Sequence, residues 1–128
     1  MIAQILIADD NTDLTGLLND YLTGKGNRVI VVNDGFQLVQ KAGEHLPHLI
    51  IADIQMPGAY GSSAYQVLQK DERTRKIPVI FISAHPYEKL AKLLPPQDSK
   101  TRFVRKPIDL DTLYDMIVEL LPLGGYCP

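Results

Sequence analysis

Residues 49–61 read LIIADIQMPGAYG. Four apolar residues, Leu49, Ile50, Ile51 and Ala52, run straight into Asp53, and the chain then breaks into a loop marked by Pro57, Gly58 and Gly61. A short apolar run without polar alternation, bounded by turn residues, is the pattern of a strand covered on both faces. A carboxylate at the mouth of such a strand is costly to keep ionised unless something pairs with it. Asp53 therefore needs partners from elsewhere in the chain, and finding them decides both fold and site.

Similar runs recur on either side: ILIA at 5–8, VIVV at 29–32, VIFI at 79–82 and the weaker RFV at 102–104. Between them lie stripes of helical period. Leu14, Leu17, Leu18, Tyr21 and Leu22 form the first, ended by Gly24 or Gly26. Phe36, Val39, Ala42 and Leu46 form the second, stopped before Pro47; Ala64, Tyr65, Val67 and Leu68 form a short third with Ser62 or Ser63 as N-cap. Tyr87, Leu90, Ala91 and Leu94 form a fourth, closed by Pro95 and Pro96, because a proline disfavours helical geometry in the residue before it. Leu110, Leu113, Met116, Ile117, Leu120 and Leu121 form the fifth and strongest. Five strands alternating with five helices make a (βα)5 chain, and right-handed crossovers wind it into an α/β doubly wound three-layer sandwich, a parallel five-stranded flavodoxin-like sheet of order 2-1-3-4-5.

The totals agree with one such domain. The chain has 128 residues and a formal net charge of −2, with 13 basic and 15 acidic side chains, so there is no excess positive charge for a nucleic-acid backbone. Its single cysteine, Cys127, excludes an internal disulfide. The opening MIAQILIADD reaches charge too soon for a signal peptide or a membrane span. The expectation is a soluble protein of the reducing cytoplasm, its domain over residues 1–122 and a tail or the start of a linker over 123–128.

In an open parallel sheet, ligands bind beyond the carboxyl ends of the strands where the winding reverses. There the sequence puts Asp9, Asp10 and Asn11 after the first strand, Asp53 after the third, Ser83, Ala84 and His85 after the fourth, and Lys106 and Pro107 after the fifth. Asp9, Asp10 and Asn11 also suit the N-cap of the first helix. Crowded carboxylates repel and call for a cation, and the all-oxygen set suits Mg²⁺, which sits on one or two carboxylates together with a phosphate. Lys106 supplies a point charge for a phosphoryl oxygen and Ser83 a hydroxyl donor. Asp53 is the natural nucleophile, because a carboxylate can attack phosphorus and form an aspartyl-phosphate.

The acidic pair in ADD, the stretch LIIADIQMPGAYG, VIFISA and FVRKP, in this order and at strand ends, together resemble the receiver domains of two-component response regulators, the CheY-like family, over residues 3–121. The resemblance implies phosphorylation of Asp53 by a histidine kinase or a histidine phosphotransfer protein. It implies Mg²⁺ held by Asp10 and Asp53, by Asp9 largely through water, and by the main-chain carbonyl of Gln55. It makes Ser83 the switch hydroxyl, Phe103 the switch aromatic and Lys106 the phosphate-pairing lysine, with Pro107 in the cis form. It implies a regulatory domain rather than an enzyme, with slow self-dephosphorylation tuned at Gln55 and His85. The partners implied are a downstream protein or an output domain, with neither nucleic acid nor membrane, and a homodimer on activation is one outcome it allows. Two departures stand out: Tyr60 occupies a position usually acidic or amide, and LLPPQDSKTRF lacks the Gly-Ala usual before the last strand.

Three rival readings remain. An aspartate-nucleophile phosphatase needs a general acid, commonly two residues after the nucleophile, where this chain has Gln55. A flavin carrier of similar fold would have to cradle an anionic phosphate in the first loop, DDNTD, whose carboxylates repel it. A receiver-like interaction domain that is never phosphorylated has no need of the full acidic set, Ser83 and Lys106. His45, His48 and His85 lack ligand spacing and read as surface residues.

Overall fold

A computed structural model of the chain describes residues 3–55, 61–86 and 100–121. The strands are β1 Gln4–Ala8, β2 Arg28–Val32, β3 Leu49–Asp53, β4 Val79–Ser83 and β5 Thr101–Arg105; the helices are α1 Thr12–Gly24, α2 Gly35–His45, α3 Gly61–Gln69 and α4 Leu110–Leu120. The helix expected over 87–94, Tyr60, the loop 95–99 and the tail 123–128 lie outside the described residues. All five strands pair in parallel in the order β2-β1-β3-β4-β5. The winding reverses at β1, which has β2 on one side and β3 on the other.

Each strand begins or ends within one residue of its apolar run, because the run is what the two helical layers cover. β3 and β4 are buried throughout, whereas the edge strands β2 and β5 are only partly covered. Strand side chains alternate between two cores. Leu6, Ile50, Ala52, Val79 and Phe81 pack against Leu38 and Ala42 of α2 and Ala64 and Leu68 of α3. Ile5, Ile7, Leu49, Ile51, Ile80 and Ile82 pack against Leu18 and Leu22 of α1 and Leu113, Ile117 and Leu120 of α4. Each fully buried aliphatic of this kind contributes about 1.5–3 kcal/mol relative to exposure.

The helix boundaries follow their capping residues. Asn11 caps α1, its side chain accepting from the Asp13 and Leu14 amides, and Gly26, at φ 93, turns the chain after it. Asp34 caps α2 by accepting from Gln37, and Leu46 closes that helix in the left-handed region, just before Pro47. The expected stripes are corrected at four positions: Leu17, Phe36, Leu46 and Val67 are exposed. Leu18, Ala42 and Val39 face the core as expected, and in α2 Gly35 and Leu38 are buried where Phe36 is not. Ser62 and Ser63 lie inside the first turn of α3, not at its cap. Among the described residues, no helix is long and apolar enough to cross a membrane.

Candidate functional site

The strand order and register bring the ends of β1, β3, β4 and β5 to one edge, with Ala8 beside Ala52, Asp53 beside Ile82 and Ser83 beside Arg105. Asp9 leaves β1 buried, 1% exposed, and Asp53 ends β3 at 6%. Lys106 follows β5; its amide donates to the Ser83 carbonyl at 2.7 Å, and its bond to Pro107 is cis, as expected. Its ammonium reaches back across the edge to lie 3.0 Å from Asp9 Oδ2 and 3.2 Å from Asp53 Oδ2. Asp10 is exposed, and Asp9, Asp10 and Asp53 each offer a carboxylate oxygen within 4.8 Å of the others.

One local device recurs at three strand ends. Asp9 Oδ1 accepts from the Asn11 amide at 2.9 Å, Asp53 Oδ1 from the Gln55 amide at 3.0 Å, and Ser83 Oγ from the His85 amide at 3.0 Å. Each is a side chain bonded to the backbone two residues on, a turn that Asp and Ser form readily. It fixes one oxygen of each carboxylate against the loop and leaves the other facing the shared centre.

The electrostatics are strained by design of the fold. Burial is the chief cause that holds the Asp53 carboxyl above the usual carboxylate range; Asp9 adds to it, while the Gln55 amide and Lys106 oppose. Burial also pulls the Lys106 ammonium down, but Asp9 and Asp53 outweigh it and leave it above the ordinary lysine value. One lysine thus serves two buried carboxylates beside a third acidic group.

The donor set fits a metal ion. Asp9 Oδ2 is buried and accepts no aligned hydrogen bond, although the Lys106 ammonium stands at ion-pair distance. A buried carboxylate oxygen left this way has lone pairs free for a cation. Three clustered carboxylates and no described histidine or cysteine among them suit a hard divalent ion such as Mg²⁺.

Of the residues expected at the site, Asp9, Asp10, Asp53 and Lys106 converge. Gln55 contributes its amide. Ser83 is buried at the same edge with its oxygen turned to the His85 amide. Phe103 is half-buried on β5, opposite Phe81, and packs on the core beneath α2 and α3. His45 and His85 are exposed as expected, but His48 is not a plain surface residue: Nδ1 of its half-buried ring accepts from the Gln4 amide at 2.8 Å. Sequence reasoning missed that bond and the pairing of Lys106 with Asp9, the first because its donor lies 44 residues away.

Known proteins resemble this chain in sequence and in fold. Residues 5–118 match the response regulator receiver domain family. The chain is 32% identical to the protein PilH of Pseudomonas aeruginosa over 120 residues, 94% of this chain and 98% of that one. Its fold matches the chemotaxis response regulator CheY4 of Vibrio cholerae with a TM-score of 0.82, at 20% identity over 94% of this chain and 100% of that one. It also matches the receiver domain of the sensor histidine kinase PA1611 of Pseudomonas aeruginosa, a structure with a magnesium ion coordinated in the active-site cleft; the TM-score is 0.79, at 23% identity over 91% of this chain and 95% of that one. The chain belongs to the response regulator receiver domain family of two-component signalling. Members of this family are regulatory signalling domains rather than classical enzymes.

Proposed function

We propose that Asp53 is the phosphoacceptor of this receiver domain and takes its phosphoryl group, with Mg²⁺, from a histidine kinase or a histidine phosphotransfer protein. The observation that carries the reading is the Lys106 ammonium shared between Asp9 and Asp53, with Asp10 alongside. A carboxylate oxygen of Asp53 attacks phosphorus; the new P–O bond forms as the donor's P–N bond breaks, and the departing imidazole nitrogen takes up a proton. Asp10, Asp53 and the Gln55 carbonyl, with Asp9 largely through water, would hold the Mg²⁺, which would supply charge neutralisation for the transferring oxygens; the magnesium in the cleft of the PA1611 receiver lends precedent. Lys106 then moves its charge from the carboxylates to a phosphoryl oxygen.

Ser83 and Phe103 make the switch. Phosphorylation adds about −1.5 to −2 charge and strong acceptor oxygens beside Ser83. The Ser83 hydroxyl turns toward a phosphoryl oxygen and gives up the His85 amide, and Phe103 repacks into the space released. The phosphate biases this equilibrium only as far as it binds the two states differently. Phe103 has no phenolic hydroxyl, so packing alone carries the signal to a downstream protein or output domain in the cytoplasm. Slow hydrolysis of the acyl phosphate resets the domain.

Intact mass after incubation with Mg²⁺ and a small acyl-phosphate donor tests the reading. A phosphate-sized gain that hydroxylamine removes, absent in Asp53→Asn and absent without Mg²⁺, is expected. No gain, with a known receiver labelled alongside and with the chain's own kinase tried in turn, would instead make this an interaction domain that is never phosphorylated.

A further inference from the structure

We infer that Asn11 is a positioning residue for Asp9, coupling the first turn of α1 to the orientation of a metal-binding carboxylate. The inference rests on the reading of Asp9 as part of the Mg²⁺ site. Asn11 is clamped by four hydrogen bonds. Its side-chain Oδ1 accepts from the Asp13 amide at 3.1 Å and the Leu14 amide at 3.2 Å. Its carbonyl accepts from the Thr15 amide at 3.0 Å, and its own amide donates to Asp9 Oδ1 at 2.9 Å.

The first three bonds fix Asn11 at φ −83 and ψ 102, an extended conformation that aims its N–H back at Asp9. With Oδ1 held there, the buried Oδ2 is left facing Lys106 and the acidic cluster, without an aligned hydrogen bond of its own. The cap and the site are therefore one structure. Asp9 does not cap the helix; Asn11 does, and in doing so it holds Asp9. Groups that hydrogen-bond a metal-binding carboxylate fix its orientation, and losing one typically costs about 10- to 100-fold in metal affinity.

The amide of residue 11 survives any substitution but proline, so the side chain is the lever. Serine keeps a capping oxygen and alanine does not. Asn27 provides a neutral control at the other end of the same helix, where its side-chain amide donates to the Leu22 carbonyl at 3.1 Å. Two measurements are needed for the wild type, Asn11→Ala, Asn11→Ser and Asn27→Ala: Mg²⁺ affinity by calorimetric titration, and hydrogen exchange of the residue-11 amide in chelator. Asn11→Ala is expected to weaken Mg²⁺ binding about tenfold and to speed exchange of that amide, with Asn11→Ser restoring both. Asn27→Ala is expected to lower the melting temperature while leaving both unchanged.

Mg²⁺ affinity unaltered in Asn11→Ala, or weakened equally in Asn27→Ala, would overturn the inference and leave Asn11 a helix cap alone. A wild-type chain that takes no Mg²⁺ would instead overturn the proposed function. The exchange data in chelator would then decide the Asn11–Asp9 link by themselves, with an unchanged rate in Asn11→Ala refuting it.

Discussion

Lys106 approaches Asp9 more closely than it approaches Asp53, at 3.0 Å against 3.2 Å. Its ammonium is the internal counter-charge of a carboxylate that a divalent ion would also claim. Metal and lysine therefore compete for the same negative charge, although each neutralises the cluster that the other leaves uncompensated.

The competition is measurable with Lys106→Met. In chelator this variant is expected to melt below the wild type, because two buried carboxylates lose their partner. Its Mg²⁺ affinity is expected to rise about three- to tenfold at fixed ionic strength, since a neighbouring positive charge is gone. Its melting temperature should then climb more steeply with Mg²⁺ concentration. Calorimetric titration and thermal melts check both arms; an unchanged or weaker affinity would show that Lys106 does not compete.

Asp53 gives a pH dependence of definite sign. Its carboxyl is raised in the fold, chiefly by burial and further by Asp9, so the folded state favours its protonated form. The stability linked to that proton is fully present below the unfolded carboxylate range and is lost as pH rises through the raised folded value. In chelator, Asp53→Asn is accordingly expected to melt a few degrees above the wild type at neutral pH. The gap should close as pH falls through that window, which melts across a pH series would reveal.

His48 has a defined tautomer. Because the Gln4 amide can only donate, Nδ1 must accept, and the neutral ring carries its proton on Nε2. The His48 amide returns a bond to the Gln4 carbonyl at 2.8 Å, so the two residues join the start of β1 to the entry of β3. Nitrogen-15 spectra should show the Nε2–H form. His48→Phe is expected to lose about 1 kcal/mol in chemical denaturation, as the Gln4 amide loses its acceptor.

Phe81 anchors the layer under α3. Its buried ring meets Tyr65 edge to face at 5.3 Å between centroids. Phe81→Leu is expected to cost about 1–2 kcal/mol, from lost volume and a lost aromatic pair, measured by urea unfolding.

The strands were legible because β1, β3 and β4 are covered on both faces and so need unbroken apolar runs. The meeting of Asp9, Asp10, Asp53 and Lys106 was legible because strand order and right-handed crossovers leave little freedom at the carboxyl edge. Helix phase was read less well where two apolar residues stand side by side, as at Leu17 and Leu18, since either can face the sheet. The Asn11, Gln55 and His85 amides were illegible for a different reason: a backbone N–H is present in every residue but proline and leaves no mark in the sequence. The bond of His48 depends on Gln4, which only the folded sheet brings near.

The turns at Asp53 and Ser83 carry a consequence for how this edge can vary. Their donors, at Gln55 and His85, are peptide groups, and unlike Asn11 neither residue caps a described helix. Positions 55 and 85 can therefore exchange residues of almost any size or charge, altering what a visiting molecule meets, while the acceptors behind them stay aimed. Proline is the one residue that the hydrogen bonds themselves forbid there. The acceptors at Asp53 and Ser83 are a fixed frame, and residues 55 and 85 are its interchangeable trim.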